Sequence, residues 1–312
     1  PLHKIAGKPM VLHVIEACEE LNPEKIITVL SPNMPSLEHA VSQHEIAYQP
    51  VANGTGGAAL AAKDHLNNIE GDVLVVFGDT PLITTDALQK IIDKKHADPK
   101  TGVVCSGFKT DDPTGYGRLD LNTDGSLRAV IEHKDASDEQ RKINLCNGGI
   151  MCVEGTKMVE WLSQVGNSNA QGEYYLVDLP VIAAKDSYKS EVCLIDEEDT
   201  VGVNSRSDQA RAEQLLQNRL RRKHMDNGVT LIDPKSVYFS VDTHIEQDVI
   251  IHPHVVFGPE VVIQTGVEIH AFSHIEQALV RRNASVGPYA RLRPGADIGE
   301  EAKVGNMSLI HI

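Results

Sequence analysis

The spacing of apolar positions changes along the chain, and each change predicts a different architecture. Met10, Val11, Val14, Ile15, Cys18 and Leu21 recur at helical intervals behind Pro9, whose missing N–H costs nothing in a first helical turn, so Met10 to Leu21 is expected to be an amphipathic helix. A strand at Ile26 to Leu30, a helix near Ser36 to Gln43 and a strand at Ile46 to Gln49 follow. The loop Pro50 to Gly57 then leads into an Ala-rich helix ending near Leu66. Val73 to Phe77 is an unbroken apolar run entering Gly78-Asp79, which predicts a strand buried on both faces. With a helix from Asp86 to about Lys95 and a strand at Val103 to Phe108, the alternation implies parallel pairing and right-handed crossovers in an open α/β sheet.

From Tyr116 the period shortens. Two alternating runs, Tyr116 to Leu121 and Leu127 to Glu132, flank Asn122-Thr123-Asp124-Gly125 and predict a hairpin forming a lid or wall over the sheet. Asn147-Gly148-Gly149 precedes an apolar strand to Val153, then a helix around Thr156 to Ser163, a helix from Tyr174 to about Lys185 and a strand near Val192 to Ile195. Ser207 to His224 consists of strong helix formers and predicts one linking helix, ended by Asp226-Asn227-Gly228.

Beyond it the period becomes six. Ile245, Ile251, Phe257, Ile263, Ile269 and Ile275 lie six apart, and after a slip of one residue Val280, Val286, Leu292, Ile298 and Val304 continue. Gly258, Gly266, Ala271, Ala284, Gly287, Gly295, Gly299 and Gly305 punctuate the row as expected turn positions. Such a repeat marks a parallel β-helix whose coils stack their repeated side chains along the axis. The repeat is expected to stop at Gly305, with Met307 to Ile312 neither extending nor capping it. The domains expected are 1–206 for the α/β part, 207–227 for the linking helix and 228–312 for a partial β-helix.

Composition narrows the function. A formal charge of −15 argues against a nucleic-acid partner, whose phosphates demand a basic surface. The one basic run, Arg219 to His224, sits where cations complement a helix C-terminus. Five scattered cysteines without a C-x-x-C pair predict reduced, buried thiols and a cytoplasmic protein. No apolar run reaches membrane-spanning length. The chain opens in mid-pattern at Pro1 without an initiator Met, which suggests a fragment.

Ligands of such sheets gather at the carboxyl ends of strands, where Asp79 stands behind a glycine. A carboxylate there suits Mg²⁺ held against phosphate; equally, Asp79 suits a cap for the helix beginning near Thr84. The Asn53 to Gly57 loop is a candidate for a ring or phosphate contact, or a plain turn. Asp112 to Arg118 and Glu132 offer sugar contacts, or a strained turn and a solvated strand end. Asn204 offers a neutral metal ligand or an Asx turn. His252 and His254 form an H-x-H pair, but the sequence suggests no third ligand and the reading goes against a metal. No G-x-S-x-G or electropositive cysteine suggests covalent catalysis.

Taken in order, Gly54-Thr55-Gly56 after a strand, Phe77 to Ile83, Asp111 to Arg118, Ile131 to Ala136, Asn147 to Ile150, Asn169 to Leu179 and Gly202 to Arg206 form one set of motifs. With the six-residue repeat carrying Ala290 to Ala296 and Val304 to Asn306, they closely resemble one family: the bacterial bifunctional N-acetylglucosamine-1-phosphate uridyltransferase and glucosamine-1-phosphate acetyltransferase. The resemblance implies an α/β Rossmann-like nucleotidyltransferase domain followed by a left-handed parallel β-helix of hexapeptide repeats. It implies Mg²⁺, the substrates UTP and N-acetylglucosamine 1-phosphate, and the product UDP-N-acetylglucosamine. Acetyl-CoA and glucosamine 1-phosphate belong to the β-helix, and the assembly is a homotrimer.

Residue by residue, the resemblance implies Gln49, Gly54 and Thr55 at the uracil, Asp79 and Asn204 at Mg²⁺, and Gly117, Glu132 and Asn147 at the amino sugar. Arg293 carries over as a ligand for the amino-sugar phosphate. The family's glycine-rich triphosphate segment and its acetyltransferase histidine lie outside this sequence, so weak turnover and little acetyl transfer are expected. Two other readings stand beside it. One is a non-catalytic sugar-nucleotide-binding protein trimerised by its β-helix, disfavoured by the two candidate metal ligands. The other is a glycosyltransferase, disfavoured because Asp79-Thr80-Pro81 lacks the second carboxylate of D-x-D.

Overall fold

A computed structural model describes residues 1–67, 69–306 and 309–310. The chain divides into two compact units, residues 1–2 with 10–202 and residues 3–9 with 203–312.

In the first unit, α1 (Met10–Glu19) buries Met10, Val11, Val14 and Ile15 of the stripe that its spacing predicted, with His13 and Ala17 beside them, while Cys18 is only partly buried. It is followed by β1 (Ile27–Leu30), α2 (Pro35–Ala40) and β2 (Glu45–Tyr48), and β1 and β2 pair in parallel. After α3 (Thr55–Ala61) come β3 (Asp72–Val75), α4 (Thr85–His96) and the long β4 (Thr101–Lys109). The hairpin β5 (Arg118–Leu121) and β6 (Leu127–Ile131) precedes β7 (Leu145–Glu154), α5 (Gly155–Leu162), α6 (Leu179–Lys185) and β8 (Lys189–Leu194).

The main sheet runs β8-β4-β7, parallel between β8 and β4 but antiparallel between β4 and β7. It is therefore mixed rather than wholly parallel. On its other edge β7 carries two neighbours. Met151 to Glu154 pair with β3, whereas Cys146 bridges Arg118 of β5. The sheet thus forks beside Asn147-Gly148-Gly149. The hairpin continues the sheet on one limb of this fork instead of lying over it as a lid.

The run at Val73 to Phe77 is half-buried, not fully buried as expected. Both faces are covered: Val73 and Val75 join the cluster around Trp161 and Met158, and Leu74 and Val76 join that around Leu88 and Ile91. Among the described residues β3 pairs on one edge only, and exposure enters along the other.

In the second unit, α7 (Arg206–Asp226) starts with a capping box between Ser205 and Asp208 and ends at Asn227, with Gly228 at φ +90°. Gln217 and Arg221, buried on this helix, bond the main chain of the first coil: Gln217 Nε2 donates to Phe239 O at 2.6 Å and Arg221 Nε to Val237 O at 2.9 Å. Buried polar groups satisfied in this way fix the helix against the coil.

The coils form three parallel ladders, one built from Thr230–Leu231, Ile250–Ile251, Glu268–Ile269, Ser285–Val286 and Lys303–Val304. Ile251, Ile263, Ile269, Ile275, Val280, Val286 and Leu292 are all 0 % exposed, so the six-residue row is the axis of a parallel β-helix. A second inward row, Val249, Val255, Val261, Val267, Ser273, Ala278, Ala284 and Ala290, lies two residues ahead of it. Ala284 is therefore core, not a turn as the punctuation suggested. The corners are Asp248, His254, Glu260, Gly266, Phe272, Gln277, Asn283, Tyr289, Gly295 and Glu301, all at positive φ and mostly not glycine. The slip of one residue falls between Phe272 and Asn283, where one corner comes a residue early. Leu309–Ile310 pairs in register with Arg291–Leu292, so the repeat continues past Gly305, contrary to expectation. Met307, Ser308, His311 and Ile312 lie outside the described residues.

Candidate active site

The fork in the sheet gathers three of the residues expected at the amino sugar. Asn147 N donates to Gly117 O at 2.8 Å, which ties β7 to the start of the hairpin. A Cβ added at Gly117 would stand 3.4 Å from Asn147 Cβ and 3.5 Å from Glu132 Oε1, so Asn147 and Glu132 converge over a buried glycine. Gly148 and Gly149 make the fork possible. A Cβ at Gly148 would lie 2.6 Å from Ser106 Oγ, and one at Gly149, where φ is +86°, would lie 3.0 Å from the Phe77 ring.

Phe77 carries the chain from β3 toward this fork, and Asp79 follows it. Thr80 closes the turn by donating its amide and hydroxyl to Phe77 O at 3.2 and 2.7 Å. The helix cap is Thr84, whose hydroxyl accepts from Ala87 N at 3.3 Å, so Asp79 is not a cap. Burial raises the pKa of the half-buried Asp79 carboxyl, and its own backbone amide is the hydrogen-bond donor facing it. A desolvated carboxylate with no cationic side-chain partner among the described residues fits a divalent cation, which would remove the cost of that burial. A Cβ at Gly78 would meet Val11 at 3.4 Å, an ordinary contact, so this glycine is not demanded by its surroundings.

The uracil candidates sit on a second edge of the unit. Gln49 Nε2, at the end of β2, donates to Asn53 Oδ1 at 2.9 Å and to Gly54 O at 3.1 Å. Gly54 has φ +104°, and a Cβ there would lie 2.5 Å from Tyr174 O. Asn53, the first residue of the candidate loop, fills with its side chain the space where Gly57 would carry one, its Oδ1 1.9 Å from the would-be Cβ. The loop at 169–176 binds the two edges together. Tyr174 N donates to Asn53 O, Gly56 N to Tyr174 O and Leu176 N to Thr55 Oγ1, at 2.8, 2.8 and 3.1 Å. At its other end Ala170 N donates to Asp135 Oδ1 at 3.0 Å and Lys134 Nζ to Gln171 Oε1 at 2.6 Å. Glu132 has its pKa raised by burial and secondarily by Asp135. Only the backbone partnership of residues 169–176 reveals this tie, and no spacing in the sequence signals it.

Asn204 and Arg293 belong to the second unit. Asn204 is exposed, and its amide donates to Asp208 Oδ2 at 3.2 Å ahead of α7. Arg293 is half-buried after the strand Arg291–Leu292. The cysteines are free, and burial pushes Cys105 and Cys152 up to about 12, far from a thiolate nucleophile.

Residues 1–142 match the MobA-like NTP transferase domain, and residues 242–277 match the bacterial transferase hexapeptide of six repeats. The bifunctional protein GlmU of Paramagnetospirillum magneticum is 44% identical over 98% of this chain and 68% of its own length. Those of Sinorhizobium fredii and Bartonella quintana are 43% and 42% identical, again over 98% of this chain and over 67% and 68% of their own lengths. The chain belongs to the GlmU family. It is accordingly a nucleotidyltransferase of UDP-N-acetylglucosamine synthesis, joined to a hexapeptide acyltransferase domain of left-handed β-helical fold. Among the described residues no helix is long and apolar enough to cross a membrane.

Within a GlmU-type chain, one carboxylate at the end of β3 agrees with a nucleotidyltransferase that uses a divalent metal, because such ions take few protein carboxylates and fill the remainder with phosphate and water.

Proposed function

We propose that the α/β unit joins UTP to N-acetylglucosamine 1-phosphate, releasing pyrophosphate and UDP-N-acetylglucosamine. The convergence of Asn147 and Glu132 over Gly117, at the fork toward which Asp79 emerges, carries this reading. Gln49, Gly54 and Thr55 hold the uracil through amide and backbone groups of the stitched loop. Glu132 accepts from sugar hydroxyls, Asn147 meets the acetamido group, and the absent Cβ of Gly117 leaves room for the ring. The sugar phosphate oxygen attacks the α-phosphorus in line and pyrophosphate leaves, so positioning and electrostatics supply the acceleration without a covalent enzyme intermediate. Asp79 would hold Mg²⁺, which when bound offsets the negative charge of the triphosphate. In the β-helix, Arg293 is a ligand for the phosphate of glucosamine 1-phosphate, whose acetylation uses acetyl-CoA, and three copies assemble through the coils.

The test is calorimetric binding of UDP-N-acetylglucosamine with and without Mg²⁺. Saturable binding that weakens at least tenfold in Asn147→Ala and in Glu132→Ala supports the sugar assignment. Affinity untouched by both substitutions removes the sugar from this fork.

A further inference from the structure

Among the described residues, one group of three histidine, cysteine or carboxylate side chains has its ligand atoms within 4.8 Å of one another: His252, Glu268 and His270. The β-helix brings them together. Ile250 pairs with Glu268 and Ile251 with Ile269, so the outward-facing His252 stands one coil from the outward-facing His270, and Glu268 flanks the same inward residue as His270. His252 N donates to Ile269 O at 2.9 Å and His270 N to Val286 O at 2.8 Å, while Ile251 and Ile269 are fully buried beneath. The two imidazoles are held 4.9 Å apart between centroids. His252 Nε2 lies 2.8 Å from Glu268 Oε1, and His270 Nε2 lies 3.9 Å from Glu268 Oε2 and 3.0 Å from Ser285 Oγ.

We propose that His252, Glu268 and His270 form a binding site for a divalent transition-metal ion of the zinc class on the outer face of the β-helix. Ligand atoms around a tetrahedral ion with bonds of about 2.0–2.2 Å stand roughly 3.3 Å apart. The two imidazole-to-carboxylate distances, 2.8 and 3.9 Å, bracket that spacing. Rotation about terminal side-chain bonds brings all three donors onto one ion without moving the coils. Two imidazole nitrogens with one carboxylate select zinc, cobalt, nickel or copper over Mg²⁺ and Ca²⁺, which prefer all-oxygen shells. The side chains are 29–41% exposed, so solvent has access to complete the coordination. His254, the other half of the H-x-H pair, takes no part: it sits at a corner with φ +61° and stacks on Phe272, ring centroids 4.9 Å apart. The ion joins two successive coils, as the Arg281–Asp297 pair does further along the outer face.

The experiment titrates Zn²⁺ calorimetrically into the metal-free chain carrying Asp79→Asn, which silences the carboxylate of the α/β unit, with Co²⁺ absorption reporting imidazole ligation. Binding of one ion per chain is expected, weakened at least tenfold by His252→Ala, by His270→Ala and by the shape-conserving Glu268→Gln, with circular dichroism unchanged. His254→Ala retains the affinity, Mg²⁺ does not compete, and Zn²⁺ raises the unfolding temperature of the parent chain and of His254→Ala but not of the three ligand variants. The absence of saturable Zn²⁺ binding overturns the site, as does an affinity that survives all three substitutions or falls equally in His254→Ala.

Discussion

Asp79 separates the cost of folding from the needs of the chemistry. Its carboxyl is desolvated and, among the described residues, faces no cationic side chain, so Asp79→Asn is expected to leave the unfolding temperature unchanged or higher while abolishing the metal-dependent part of UTP binding. Calorimetry with and without Mg²⁺ checks this, and metal enhancement that persists in the variant takes Asp79 out of the metal site. Gly54 is the opposite case, because its backbone conformation is itself the constraint. With φ at +104° and Tyr174 O 2.5 Å from a would-be Cβ, Gly54→Ala is expected to destabilise the α/β unit by about 1–3 kcal/mol and to loosen uridine nucleotides. Urea unfolding with a UDP titration reads both effects. These glycines, with Asp79, Glu132 and Asn147, stand out in the chain as motifs. Asn53, Asp135 and Tyr174 lie within such segments too, but their part was not legible there, because it is a hydrogen bond to a segment distant in sequence.

Among the elements, α7 holds a group that links stability to acidity. His224 packs on Phe239, ring centroids 4.6 Å apart, and burial, helped by Lys223 and His244, lowers its pKa from 6.5 to about 4. The folded state therefore resists a proton that the unfolded chain accepts below about pH 6.5. Stability is full above that pH and is lost as the pH falls toward 4, by about 2 kcal/mol once screening at the partly solvated ring is allowed for. His224→Phe is expected to flatten the dependence of urea midpoints on pH between those limits. In the β-helix the axial row is the stabilising element, so Ile269→Ala, at a fully buried position, should cost about 2–5 kcal/mol, measured by denaturant unfolding. A substitution at an exposed corner such as Glu301 should cost little. The row of isoleucines and valines was legible because its period is six, whatever occupies the corners. The corners themselves were misread, since residues such as Asp248, Asn283 and Phe272 adopt the left-handed conformation that glycine was expected to supply.

At the scale of the molecule, a charge of −15 sets copies of the chain against one another, and association through the coils has to overcome that repulsion. A trimer is expected by light scattering at physiological ionic strength, and a monomeric mass counts against assembly through the β-helix. By itself the sequence determined the periods: the helical stripe of α1, the apolar run of β3, the six-residue row, and hence an α/β unit followed by a β-helix. Local spacing is enough for these because each element buries the face that its own period presents. What only the tertiary structure decided depends on which strands share an edge. β7 runs antiparallel to β3 and β4 and carries β3 and the hairpin on one side, and that fork sets Asn147 and Glu132 over Gly117. The coil register likewise sets His252 beside Glu268 and His270, residues that lie 16 to 18 positions away along the chain and one coil away in space.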